Sequence, residues 1–102
     1  MNLKQRQWLE QLQEDGEAVI LDVRTPEEYG KGHIPEAVNI DIYLGQGFID
    51  AVRELDASKN YYVYCKSGGR SAQACSVMKQ LGIDNAYNLM GGFSKWKGAV
   101  AI

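Results

Sequence analysis

Cys65 is the residue in this chain whose type and surroundings are best suited to nucleophilic chemistry. It follows residues 61–64, whose aromatic and β-branched side chains predict a strand. A loop at 65–70 then leads into a predicted helix at 71–81. In an open parallel sheet, ligands bind beyond the carboxyl ends of the strands, and this order of elements puts Cys65 there. The sequence therefore predicts a reactive thiol at the ligand-binding edge of a sheet.

The loop that begins with Cys65 has the composition of an anion-binding site. Gly68 and Gly69 allow the unusual φ angles that turn backbone N–H groups inward. The N-terminus of the following helix adds the positive end of its dipole, and Lys66 and Arg70 add charge. All of these features stabilise a thiolate, which is the reactive form of cysteine, and also a bound oxyanion. The loop therefore needs no separate general base to activate the thiol.

The remaining cysteine and the histidine have structural interpretations. Cys75 lies in the middle of a predicted helix beside apolar residues, so we expect it to pack in the core. A resolving thiol for Cys65 is the alternative. His33 is distant from Cys65 in sequence, and we expect it to form a hydrogen bond within its own turn. One histidine and two cysteines make a poor zinc site, so neither a metal nor another cofactor is expected.

Strands and helices alternate along the chain and must position Cys65. The predicted helices cover 2–14, a short segment from Thr25, 48–55, 71–81 and a short segment at 91–96; the predicted strands cover 18–23, 37–40, 61–64 and 86–89. The segment Thr25-Pro26-Glu27-Glu28 has the pattern of a capping box with proline at the first helical position. This alternation predicts an α/β fold, with a mainly parallel sheet of about four to five strands flanked by helices.

Composition and charge narrow the classes of function. The chain has 102 residues, 45% hydrophobic and 24% charged, which suits a single domain over residues 1–102. Its net charge of −2 argues against a general nucleic-acid binder. The longest apolar run, at 18–21, is far shorter than the roughly 20 residues of a membrane span. The N-terminus lacks the pattern of a signal peptide, so we expect no membrane partner and a cytoplasmic location.

Four separated motifs carry a family resemblance when they are taken in their order and spacing. They are Leu21-Asp22-Val23-Arg24 followed by Glu28-Tyr29, the segment 32–40, the segment 64–72, and Leu89-Met90-Gly91-Gly92-Phe93 followed by Trp96. Together they resemble the rhodanese family of sulfurtransferases in its single-domain form, over roughly residues 16–97. Two positions depart from the family pattern. Glu36 stands where the family commonly has glycine, and the ending after Trp96 is shortened.

The resemblance implies a rhodanese-like three-layer fold, with helices on both faces of the sheet, and a persulfide mechanism on Cys65. In the family, the matching cysteine takes sulfur from a small anionic donor such as thiosulfate and passes it to cyanide, a thiol or a protein. The implied substrate-binding set consists of the loop amides and the Arg70 side chain, and covers Lys66, Ser67, Gly68, Gly69, Arg70 and Ser71. Asp22 and Arg24 match a paired position of the family. We expect them to support the site as an ion pair.

Two other functions stay open at the level of sequence. Some cysteine phosphatases and arsenate reductases share the rhodanese fold, and the phosphatases resemble Cys-x5-Arg. Here Arg70 follows Cys65 after only four residues, which narrows the ring of N–H groups and leaves no arginine at the expected position. The other alternative is a persulfide carrier or protein-binding module with little thiosulfate turnover, because an isolated sequence does not reveal the sulfur acceptor.

Overall fold

The computed structural model describes residues 1–102 and contains one parallel sheet with helices around it. The strands are β1 (Asn2–Leu3), β2 (Ala18–Asp22), β3 (Val38–Asn39), β4 (Asn60–Tyr64) and β5 (Ala86–Leu89). The helices are α1 (Gln5–Gln13), α2 (Pro26–Gly30), α3 (Gln46–Arg53) and α4 (Gly69–Gln80), with 3-10 turns at Ile42–Leu44 and Phe93–Lys95. The strand order is β1-β5-β4-β2-β3, and every pairing is parallel. The predicted α/β fold with a parallel sheet is confirmed.

The sheet separates two buried clusters, so the domain has three layers. Beneath α3 and α4 lies a cluster that includes Leu21, Phe48, Val63, Cys65 and Met78. Beneath α1 and the turn at Phe93–Lys95 lies a second cluster, which includes Leu3, Trp8, Tyr62, Tyr64 and Leu89. Successive side chains of β4 alternate between these clusters, as the pleat of a strand requires. No helix combines the length and the apolarity that a membrane crossing needs.

The first helix is shorter than predicted, because the chain begins with a strand. A helix over 2–14 was predicted, but α1 begins at Gln5 and β1 precedes it. The carbonyl of Leu3 accepts a hydrogen bond from the backbone of Met90 at 2.9 Å. Without β1, strand β5 would be an edge strand with unpaired backbone groups. This long-range pairing leaves no trace in the local hydrophobic pattern, and the local prediction was therefore wrong there.

Other element boundaries move by a few residues. Helix α4 begins at Gly69 rather than residue 71, because Gly68 takes a left-handed conformation with φ of 107° and serves as its N-cap. The loop after Cys65 is therefore tighter than predicted. The segments predicted as a helix at 48–55, a strand at 37–40 and a helix at 91–96 are found at Gln46–Arg53, Val38–Asn39 and, as a 3-10 turn, Phe93–Lys95.

The turn before β3 contains one departure from the family pattern and contacts the other. Glu36 has a φ of 71° and is the one non-glycine residue with a positive φ, which explains why glycine would suit this position. The shortened C-terminus folds back onto the same turn. Ala101 forms an antiparallel bridge with His33, with backbone hydrogen bonds of 2.8 and 3.0 Å. The turn that leads into β3 is thereby held in place by the end of the chain.

Candidate active site

Cys65 directly follows β4 and is the residue around which the candidate active site is built. Strand β4 lies between β5 and β2, so Cys65 emerges from the middle of the sheet edge. Its carbonyl accepts a hydrogen bond from Phe93 at 2.8 Å, and the carbonyl of Lys66 accepts one from Ser94 at 2.9 Å. A Cβ added at Gly92 would lie only 2.6 Å from the Cys65 carbonyl oxygen. The start of the loop is thus pressed against the turn that follows β5.

Two hydrogen bonds reach the Cys65 sulfur, and two further backbone N–H groups lower the pKa of its thiol. The backbone N–H of Gly68 lies 3.0 Å from Sγ, and the Ser71 hydroxyl lies 3.3 Å from it. The backbone N–H groups of Ser67 and Ser71 also favour the charged form of the sulfur. Burial raises the pKa of the Cys65 thiol, but the hydrogen bonds from Ser71, Gly68 and Ser67 outweigh it. The net result is a pKa below the ordinary value for cysteine.

Apart from Arg70, the loop residues predicted from the sequence divide into two groups. The amides of Ser67, Gly68 and Ser71 converge on the sulfur, as a curled anion-binding loop should arrange them. Lys66 and Gly69 lie exposed on the outside of the loop. The contribution of all these groups to substrate binding stays a prediction.

Arg70 is held by a carboxylate of another element. Its guanidinium donates to both oxygens of Glu28, with Nη1 to Oε1 at 2.8 Å and Nη2 to Oε2 at 2.9 Å. The Arg70 side chain also lies over the Tyr43 ring, 5.3 Å from its centroid. The hydrogen bond from Arg70 is the main cause that lowers the pKa of Glu28 to about 2. Only the helix-capping role of Glu28 was predicted, and its bonds to Thr25 confirm that role.

The predicted ion pair between Asp22 and Arg24 is confirmed and is buried. Arg24 Nη2 lies 2.7 Å from Asp22 Oδ2, and the two side chains are 5% and 0% exposed. The same nitrogen donates to the carbonyl of Gly32 at 2.7 Å, and the guanidinium lies 4.5 Å from the centre of the Phe93 ring. These contacts fix Arg24 at the carboxyl end of β2, beside the Cys65 loop.

A positively charged cleft borders this loop. It has a volume of about 240 Å³, and its cationic lining residues are Arg24, Lys31 and Lys66. Phe93 and the carboxylate of Glu28 also line it. Two larger cavities lie elsewhere. One of about 510 Å³ at the amino end of β2 has no cysteine, serine or threonine in its lining, and one of about 600 Å³ is lined by Cys75, whose thiol has a raised pKa. The smaller cleft is therefore the candidate site, because it combines positive charge with proximity to Cys65.

His33 and Cys75 lie apart from the loop, as predicted. His33 Nδ1 is 3.0 Å from the carbonyl of Tyr29, and its ring stacks on the Tyr29 ring. Cys75 is 7% exposed and packs in the same buried cluster as Cys65. Burial raises the pKa of Cys75 to about 11. No three His, Cys, Asp or Glu side chains come together in a way that could hold a metal ion.

The sequence did not predict two buried polar side chains behind Cys65, the Ser71 hydroxyl and the Asn88 amide. The Ser71 hydroxyl contacts both the sulfur and Oδ1 of Asn88. Asn88 Nδ2 donates to the Gly68 carbonyl at 3.2 Å and to Asn2 Oδ1 at 2.9 Å. An asparagine within a short, otherwise apolar or aromatic strand was the signal that could have identified this network, because a buried amide needs partners.

Comparisons with known proteins find similar sequences and similar folds over most of the chain. The family model described as the rhodanese-like domain matches residues 5–99. The chain is 32% identical over 87 residues to a sulfurtransferase of Allochromatium vinosum, covering 85% of this chain and 78% of that protein. It is 35% identical over 86 residues to the thiosulfate sulfurtransferase GlpE of Pseudomonas syringae pv. syringae, covering 84% and 77%. A crystal structure of a rhodanese-like domain protein from Staphylococcus aureus superposes with a TM-score of 0.84 at 30% identity, covering 99% and 96%.

Proposed function

Because this chain belongs to the rhodanese-like domain family, we propose that it transfers sulfane sulfur through a persulfide on Cys65. The donor is a small anionic compound such as thiosulfate, and the acceptor is cyanide, a thiol or a protein. The observation that carries the proposal is the pair of hydrogen bonds that the Gly68 N–H and the Ser71 hydroxyl donate to the Cys65 sulfur. All proposed steps use residues of one domain over 1–102.

In the first step, the Cys65 thiolate attacks the outer sulfur of the donor. A bond forms between Sγ and that sulfur, and the bond to the sulfonate group breaks. Sulfite leaves with the bonding electron pair, and the negative charge passes to the outer sulfur of the new persulfide. The lowered pKa of Cys65 supports this step, since it increases the fraction of thiolate near neutral pH.

In the second step, the acceptor attacks the outer sulfur of the persulfide. The bond between the two sulfurs breaks, and Sγ receives its electron pair and becomes a thiolate again. No proton or external electron is required when the acceptor is an anion. The amides of Ser67, Gly68 and Ser71 support both states, because fixed dipoles near a changing charge need no reorganisation.

The cleft beside the loop suits an anionic donor. Lys31 and Lys66 line it without forming an ion pair with an acidic side chain, and Arg24, which is paired with Asp22, also lines it. We assign to Arg70 the binding of the sulfonate end, a planar two-pronged task to which arginine is suited. In the resting structure Glu28 occupies that fork, so the donor must compete with a carboxylate.

This competition favours one alternative function, a persulfide carrier with little thiosulfate turnover. A dianionic donor meets less positive potential when the charge of Arg70 is offset by Glu28. A thiol persulfide with less charge depends less on that arginine. The carrier would receive sulfur from such a donor and pass it to a partner thiol.

Intact mass of the reduced protein before and after brief thiosulfate treatment tests the proposal. We expect the wild type to gain one sulfur atom and to lose it on addition of cyanide. Cys65→Ser is the matched control and should gain none. A sulfur gain in the control, or loading located on Cys75, would overturn the assignment of Cys65.

The choice of donor separates the two functions. Loading by thiosulfate supports the sulfurtransferase with a small anionic donor. Loading by glutathione persulfide but not by thiosulfate supports the carrier. Failure of both donors to load the wild type would refute a persulfide on Cys65.

A further inference from the structure

We propose that Asn88 is a positioning residue that competes with the Cys65 sulfur for the proton of the Ser71 hydroxyl. The inference rests on the proposed function of Cys65. It concerns a side chain on β5 that lies one hydroxyl group away from the sulfur. Asn88 is 3% exposed, so its amide depends on protein groups for its hydrogen bonds.

The orientation of the Asn88 amide is fixed by its neighbours. The Gly68 carbonyl can only accept a hydrogen bond, so the atom 3.2 Å from it must be the Nδ2 donor. The second Nδ2 proton points to Asn2 Oδ1 on β1, 2.9 Å away. Oδ1 of Asn88 is therefore the atom that faces the Ser71 hydroxyl, and it can only accept.

The Ser71 hydroxyl thus has two acceptors and one proton. It contacts Asn88 Oδ1 and, at 3.3 Å, the sulfur of Cys65. When Cys65 is a neutral thiol, all three groups are hydrogen-bonded: the thiol donates to Ser71 Oγ, and the Ser71 hydroxyl donates to Asn88 Oδ1. When Cys65 is a thiolate, the hydroxyl can stabilise the sulfur only by leaving Asn88 Oδ1 without a donor. A buried unpaired acceptor is costly.

The proton of Ser71 therefore follows the charge on Sγ during the proposed cycle. In the persulfide the charge has moved to the outer sulfur. Sγ is then a weak acceptor, and the Ser71 hydroxyl can donate to Asn88 Oδ1 again. The free thiolate is the one state in which the network is incompletely bonded. Asn88 thereby raises the free energy of the thiolate relative to the thiol and the persulfide, which favours the sulfur-loaded enzyme.

Charged groups around Cys65 come from elements other than β5. Lys66 follows Cys65 in the loop, Arg70 on α4 is paired with Glu28 on α2, and the Asp22–Arg24 pair ends β2. Asn88 and Asn2 are the side chains that β5 and β1 place behind Ser71, and neither titrates. A substitution at Asn88 by an apolar residue therefore changes hydrogen bonding near the sulfur without removing a charge.

Alkylation of Cys65 by iodoacetamide as a function of pH tests this inference. All proteins carry Cys75→Ala, so that mass spectrometry reports one thiol. We expect Asn88→Leu to lower the apparent pKa of Cys65 by about one unit, because Ser71 is then free to donate to the thiolate. Ser71→Ala should raise it by about one unit. In the Ser71→Ala background, Asn88→Leu should have no further effect, since Asn88 acts through that hydroxyl.

Two controls separate this role from general destabilisation. Asn60→Leu, at the opposite end of β4, should leave the pKa of Cys65 unchanged. Asn88→Asp keeps the size of the side chain but adds a stronger acceptor with negative charge, and it should raise the pKa. It also provides a second test if Asn88→Leu does not fold.

An unchanged or raised pKa of Cys65 in folded Asn88→Leu would overturn the inference. So would a shift of equal size when Asn88→Leu is made in the Ser71→Ala background. If Asn88→Leu does not fold, an unchanged or lowered pKa in Asn88→Asp would overturn it. Alkylation requires no sulfur transfer, so this result is independent of the test of persulfide formation.

Discussion

Cys65 and Cys75 lie on the same face of the sheet and in the same buried cluster, yet their surroundings act on the two thiols in opposite directions. They are 0% and 7% exposed, and burial raises the pKa of both. For Cys75 nothing opposes burial strongly, and the pKa rises to about 11. For Cys65 the hydrogen bonds from Ser71 and Gly68 and the nearby N–H group of Ser67 oppose it, and the pKa falls below its ordinary value.

The difference follows from where each cysteine sits relative to α4. Cys65 precedes the helix, where the first backbone N–H groups have no partners within the helix and can turn toward the sulfur. Cys75 lies in the middle of the helix, where the N–H groups are used by the helix itself. Burial alone therefore does not make a thiol reactive or inert. The supply of free donors decides, and a helix supplies them only at its start.

Removal of each thiol in turn should produce the largest difference between the two cysteines. Cys65→Ala should reduce the rate of sulfur transfer from thiosulfate to cyanide by at least about 1,000-fold, because the nucleophile is lost. Cys75→Ala should retain most of the rate. Circular dichroism should show both variants folded. Equal loss of activity in the two would contradict a single nucleophile and would support Cys75 as a resolving thiol.

The pH dependence of labelling in the wild type is the next test. Thiolate fraction rises with pH, so Cys65 should react with iodoacetamide at a lower pH than Cys75, whose thiolate appears only as the pH approaches about 11. At pH 8 roughly one Cys75 in 1,000 is ionised. Peptide mapping should find Cys65 labelled at least about 100-fold faster there. Similar rates would mean that the hydrogen bonds do not govern ionisation.

Two glycine substitutions compare the backbone beside Cys65 with the backbone that follows helix α4. Gly92→Ala should destabilise the fold by about 3 kcal/mol or more, because it combines a φ of 60° with a Cβ 2.6 Å from the Cys65 carbonyl. Gly82→Ala is the matched control after α4. Its φ is 93°, but nothing lies within 4 Å of the new Cβ, so we expect a cost of about 1 kcal/mol. Urea denaturation measures both, and equal costs would refute the close packing of the loop.

The smallest expected effects concern the ion pair near Cys65. Arg70→Ala should raise the KM for thiosulfate by about fivefold and change kcat less, since its assigned role is binding. Glu28→Gln should lower that KM by about twofold, because the competing carboxylate is removed. Initial-rate kinetics distinguish these opposite shifts. A large fall in kcat at constant KM in Arg70→Ala would instead assign the arginine to the transition state.

The fold was predictable largely because strong local signals repeat in order. The β-branched-rich run at 18–23, the capping box at Thr25 and the apolar spacing of residues 74–81 each predicted the right kind of element. Asn2 and Leu3 were misassigned to a helix, since their conformation depends on backbone bonds to β5, which lies more than 80 residues away. Short edge strands carry little local pattern and depend on their neighbours.

For the candidate site, the sequence alone determined that Cys65 directly follows a strand and that a glycine-rich, basic loop leads from it into a helix. These facts already predict a thiol in an anion-binding loop, because chain order and backbone freedom are local properties. Only the tertiary structure decided that Glu28 holds Arg70 and that Asn88 stands behind Ser71. The two members of each pair are many residues apart in the sequence. Hydrogen bonds and ion pairs act only over a few ångströms, so these pairs can form only after the sheet has brought their side chains together.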